Sequence, residues 1–268
     1  MVLVPLVAAP SLMFAVSAAE RRFGAAVAGA MAAMPVALSV ILLAVGAELG
    51  ADAGATLAAG AAAHVVAQVA FALAFAAVVE RRGAALGVLA GASAFALGSL
   101  LLAPLPTPLA IVLAIPALTL GSDPSTLRNR SEQAFSCERS VKGSDPLVPA
   151  RSGPMRGATA VGAAAALVMV AAALTTAELA GPAAAGAIGA FPALSTAFAV
   201  LLVRTRGPRS AATALRGLIG GLRAYLVFTV TVALAAPGLG VYTAVPLALA
   251  LCLITYAALL SSSRQLMK

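Results

Sequence analysis

A chain of 268 residues that is 62% hydrophobic and 10% charged, with a mean hydropathy of +1.05, has too little polar surface for an ordinary soluble domain. Its net charge of +8 does not point to nucleic acid, because the arginines lie in short segments between apolar stretches, where membrane topology accounts for them. Cys137 in a basic segment and Cys252 in an apolar one form neither a disulfide framework nor a metal-ligand cluster, and no cofactor is implied.

A bilayer core of about 30 Å needs roughly 20 apolar helical residues, and the chain divides at that length. The first predicted span, 2–18, ends in the small residues of a signal-peptide cleavage site but lacks a basic leader, so it is expected to stay as a helix. Spans at 24–46, 53–79 and 84–103 follow. A short one at 105–121 carries Pro106, Pro108 and Pro116 and is expected to be distorted. The segment 122–157 is polar and without apolar periodicity, which predicts a cytoplasmic linker. Spans at 158–177, 182–203, 211–236 and 240–260 and a cytoplasmic tail, 262–268, complete the chain.

Spacing relates the two ends. Gly24, Gly29 and Pro35 recur 157 positions later as Gly181, Gly186 and Pro192, and Thr56 and Gly60 as Thr213 and Gly217. After a shorter loop, Leu86-Gly87-Val88 is expected to match Leu239-Gly240-Val241. Arg21 and Arg22 correspond to Glu178, and Glu48 and Asp52 to Arg204, Arg206 and Arg209, so loop charge changes sign. Nine crossings put fifteen of the seventeen basic residues on one side, the cytoplasmic one by the retention of arginine and lysine there. The expectation is an all-α, polytopic membrane protein with an external N-terminus and a cytoplasmic C-terminus. It has about nine transmembrane helices as two inverted four-helix repeats, 1–104 and 158–261, joined by a helix at 105–121.

Pro35 and Pro192 fall near mid-span, where each removes a backbone donor and frees a carbonyl four residues earlier, on Met31 and Ile188. Ser39 and Thr196 lie one turn beyond, on the same face. Paired kinks at this depth suit the binding site of an inverted-repeat transporter; the bland alternative is a pair of packing bends. His64 and Gln68 lie deep in the third span, and Arg223 and Tyr225 deep in its counterpart, the eighth. A guanidinium at the bilayer centre costs roughly 2.5 to 3.5 kcal/mol on insertion scales and needs a partner or water, yet every acidic residue near a span lies at its end. Arg223 is therefore expected either to line a cavity for an anionic or acceptor-rich solute, with His64 and Gln68, or to bond carbonyls freed at the kinks. Arg216, nearer the boundary, is expected to snorkel. Small-residue pairs Gly29/Ala33, Gly186/Ala190 and Gly217/Gly221 predict close helix contacts. An enzyme is disfavoured, since His64 lacks acid, cysteine or metal partners. The remaining readings are a small-solute permease and a non-transporting subunit or scaffold, with a homo-oligomer or membrane-protein partner open in either case.

The run Gly186-Ala187-Ile188-Gly189-Ala190-Phe191-Pro192, followed by Gly207, Ala214-Leu215-Arg216 and Tyr225, resembles the GlpM-like family of small bacterial inner-membrane proteins. The resemblance implies a location in a bacterial inner membrane and a four-helix unit, here duplicated and fused; Met34 and Ala59 replace Phe191 and Arg216 in the first half. The four-plus-one-plus-four plan also looks like fused fluoride channels. Those rely on membrane-embedded asparagine, whereas Asn129, in the linker, is the only asparagine here.

Overall fold

The computed structural model describes residues 24–120 and 171–265, together with Ala18, Arg22, Val168 and Met169. The predicted first span, the linker and the start of the sixth span lie outside the described residues. Nine helices carry names: α1 Ala25–Ala32, α2 Val36–Leu49, α3 Ala51–Ala63, α4 Val65–Leu102, α5 Thr107–Leu120, α6 Pro182–Gly189, α7 Ala193–Arg206, α8 Pro208–Leu239 and α9 Val241–Gln265. Residues 171–180 are also helical. No strand occurs among the described residues. Taken with their short interruptions, five helical stretches are long and apolar enough to cross a membrane: Ala25–Leu49, Ala51–Leu102, Pro182–Arg206, Pro208–Leu239 and Val241–Leu259. These are the elements of an all-α, multi-pass membrane protein.

Single glycines make the reversals. Gly50, Gly83, Gly207 and Gly240 have φ of 92°, 83°, 90° and 74°, with ψ of 169°, −179°, 168° and 157°. A residue with a Cβ is strained there, so only glycine turns the chain in one step. At Gly83 this folds the 38 residues of α4 into a hairpin. Gly87 of the second arm lies against Phe75 and Val79 of the first, Gly91 against Phe71, and Gly98 against Ala67. The expected pairing of Gly87 with Gly240 is thereby corrected. Gly83, not Gly87, shares the backbone geometry of Gly240, and their spacing is again 157. Leu-Gly-Val occurs once in each half but four residues out of the 157 register, and the turn conformation that singles out Gly83 leaves no mark on its neighbours.

The prolines break their helices outright. Pro35 (φ −79°, ψ 40°) separates α1 from α2, and Pro192 (φ −81°, ψ 58°) separates α6 from α7. The carbonyls expected to be free are taken: Met31 O accepts the Met34 N–H at 3.0 Å, and Ile188 O the Phe191 N–H at 3.0 Å. Each break tightens into one short-range turn and so re-uses the acceptor that proline leaves idle.

Packing is closest where small residues meet. Gly29 faces the Ala214 carbonyl and Gly186 the Leu57 carbonyl; Gly217 faces Ala26 O, and Gly60 faces Ala183 O, which a methyl group on Gly60 would approach to 2.6 Å. Gly221 lies against Ala30 and Ala33. Without a hydrophobic drive between helices in lipid, such backbone approach is what holds spans together. α8 is the hub, touching α1, α3, α4, α7 and α9. α5 packs on α3, α4 and α8. Its fourteen described residues extend about 21 Å at 1.5 Å per residue.

Candidate functional site

Where one broken helix crosses the other, Ser195 Oγ donates to Ala32 O at 3.1 Å. The matching position, Leu38, instead places its Cδ1 against Gly189. Residues before one break thus meet residues after the other, so α1–α2 and α6–α7 run antiparallel. Ser39 and Thr196 do not open toward the breaks. Their hydroxyls bond Pro35 O at 2.7 Å and Pro192 O at 2.8 Å within their own helices, the back-bonding that bends rather than lines a helix. Pro35 and Ser39 are buried, whereas Pro192 and Thr196 are partly exposed. Tyr256, whose hydroxyl donates to Ala30 O, further closes the first break.

His64 forms a small interruption between α3 and α4 (φ −88°, ψ 5°). Its Nδ1 lies 2.7 Å from Gly60 O, one turn back. Gln68 follows on the same face and is 3% exposed. Beside it sits Tyr225, 6% exposed, with a buried hydroxyl that has no partner in hydrogen-bonding geometry. These two predicted site residues are brought together.

Arg223 is not brought to them. Two residues from Tyr225, it projects about 200° away around α8 and donates through a terminal guanidinium nitrogen to Leu118 O of α5 at 3.4 Å. Of the two expectations for Arg223, carbonyl binding is the one observed, although the carbonyl belongs to α5 rather than to a proline break.

Arg216, expected to snorkel, has a carboxylate partner near the end of its span. Its guanidinium meets Glu80 Oε1 at 3.3 Å, with the two side chains 27% and 37% exposed. Sequence carried part of the signal: α8 starts, and the first arm of α4 ends, at glycine reversals, so an arginine in the first turns of α8 and a carboxylate in the last turn of that arm are drawn to the same end of the two helices. An aromatic group missed in the sequence is also present. Phe71 contacts Phe75 and Phe191 edge-on at centroid distances of 5.7 and 5.8 Å, and Phe95 contacts Phe191 at 5.3 Å. A crevice between Gly29, Ala32, Ser195, Phe198, Ala214 and Leu218 is apolar and too narrow for a water molecule.

These elements define an all-helical, membrane-type protein with buried polar side chains between apolar helices. Neither a family model, nor a curated protein, nor a solved structure matches the chain.

Proposed function

We propose that the chain is a small permease of a bacterial inner membrane, with nine crossings, two inverted halves and a solute path along their shared interior. The single observation that carries this reading is the antiparallel crossing of the two broken helices, with Ser195 on Ala32 O and Leu38 on Gly189. Two helices broken at mid-span and related by inversion are the arrangement that secondary transporters place around a solute. Further support comes from the spacing: the glycine reversals, the breaks and the glycine-to-carbonyl contacts all recur at 157 positions with partners exchanged. The resemblance to the GlpM-like family adds to the inverted four-helix reading, and the charge distribution to an external N-terminus.

A second reading has its own observation. The tight crevice at Gly29 and Ser195 suits a closed scaffold or subunit. Single cysteines at Ser39, Thr196, Gln68 and Tyr225, in the C137S/C252S background, separate the two. Labelling of these positions by a membrane-impermeant maleimide in intact cells or inverted vesicles is expected for a permease; uniform protection favours the scaffold. Reporter tags inserted after Val45 and after Val203 are expected in opposite compartments, and recovery of both in one compartment removes the inverted scheme.

A further inference from the structure

Resting on the permease reading, we propose that Gln68 and Tyr225 are the solute contact and that the solute is small, uncharged and hydrogen-bonding, with hydroxyl or amide groups. Their positions differ by the same 157 residues that relate the rest of the chain. Under a two-fold exchange of halves, equivalent residues touch only on the axis itself, so this pair occupies the centre of the molecule. Each lies about 26 Å along its helical stretch, from Ala51 and from Pro208, and thus near mid-depth. Phe71 and Phe228, equivalent by the same spacing and fully buried, follow one turn later on each helix.

The Tyr225 hydroxyl is the group that asks for a ligand. It is buried, with the Gln68 amide beside it but outside hydrogen-bonding geometry, and a phenylalanine would fill the same space without that cost, as Phe228 does one turn on. The amide beside it supplies both a donor and an acceptor, and a phenol supplies one of each. Together they match a solute that both donates and accepts.

Charge is directed elsewhere. Arg223 faces α5, where it is held at Leu118 O, and Arg216 is paired with Glu80 two turns toward Gly207. His64 is one turn from Gln68 on its face, with Nδ1 on Gly60 O. An anion between Gln68 and Tyr225 would lose its hydration without gaining a countercharge there.

The test uses the full-length protein in phosphatidylethanolamine–phosphatidylglycerol vesicles. Stopped-flow light scattering reads entry of glycerol, urea and acetamide; anion-sensitive dyes read chloride and phosphate. At least one of the three uncharged solutes is expected to enter faster than in empty vesicles, and Tyr225→Phe to slow it about tenfold, the loss of one hydrogen bond. Gln68→Leu is expected to slow it similarly, and Arg223→Gln to leave it within about twofold. Tyr225→Phe is also expected to keep or raise the thermal midpoint; a lowered midpoint means that the hydroxyl serves packing and overturns the inference. Entry unaffected by Tyr225→Phe, anion flux dependent on Arg223, or no entry of the three solutes overturns it too. Labelling of cysteines at Ser39 and Thr196 then tells whether the permease reading falls with it.

Discussion

Replacing three glycines of α8 by alanine, one at a time, isolates the energy of close helix approach. Gly217 and Gly221 face the carbonyls of Ala26 and Ala30, with no room for a Cβ, whereas nothing lies within 4 Å of a Cβ built on Gly220. All three are interior to one helix, so each alanine gains the same intrinsic preference, about 1 kcal/mol over glycine. At Gly220 that gain stands alone, and Gly220→Ala is expected to stabilise the protein by about 0.5–1 kcal/mol. At Gly217 the methyl group meets a backbone carbonyl, which cannot rotate aside as a side chain can, so α1 and α8 must separate. Overpacking of this kind costs about 1–3 kcal/mol, and the parting helices lose contacts along their whole crossing. Gly217→Ala is therefore expected to be destabilising by about 1–2 kcal/mol net, leaving a gap of about 1.5–3 kcal/mol from Gly220→Ala. Reversible unfolding in mixed detergent–SDS micelles, followed by circular dichroism, measures both on one scale. Equal effects at the two positions would refute the claim that backbone contact between α1 and α8 holds the halves together.

Other consequences are measurable in the same assay. Gly83→Ala and Gly240→Ala place a side chain at φ of 83° and 74° and should each cost about 1–3 kcal/mol; a neutral Gly83→Ala would mean that α4 does not reverse there. Ser195→Ala removes the 3.1 Å bond to Ala32 O and should cost about 0.6 kcal/mol, the average for hydrogen bonds between membrane helices, with Ser39→Ala costing less because its bond is internal to α2. A double-mutant cycle with Glu80→Gln and Arg216→Gln should return a coupling of about 0.2–1 kcal/mol, since both side chains are partly exposed and screened; a coupling above 2 kcal/mol would place the pair out of contact with solvent. Arg223→Met should destabilise the packing of α5 on α8, read as faster hydrogen exchange in 107–120; unchanged exchange there would separate Arg223 from Leu118.

Pattern alone disclosed the membrane class, the helix breaks at Pro35 and Pro192 and the close contacts at Gly29, Gly186 and Gly217, because each depends on residue type at a fixed spacing. It did not disclose direction of approach. His64, Gln68 and Arg223 share a depth, but depth says nothing of azimuth, and a two-residue offset within α8 turned Arg223 away from Gln68 and brought Tyr225 to it. The turn of the α4 hairpin falls where the expected spans 53–79 and 84–103 part; what stayed hidden was which glycine matches Gly240, because Gly83 and Gly87 look alike as letters and differ only in φ. The Arg216–Glu80 pair was readable in principle, since both residues sit at known distances from glycine reversals. Weighing each polar residue by its own depth, rather than in pairs across antiparallel helices, concealed it.

Joining helices through one glycine has a mechanical price in freedom. A tether a single residue long gives neighbouring cylinders no slack to slide, so α2 with α3, the arms of α4, α7 with α8, and α8 with α9 are yoked at their ends. Displacement inside the molecule is thereby channelled into the points where a described span is already cut and its pieces can pivot: the two proline breaks and the interruption at His64.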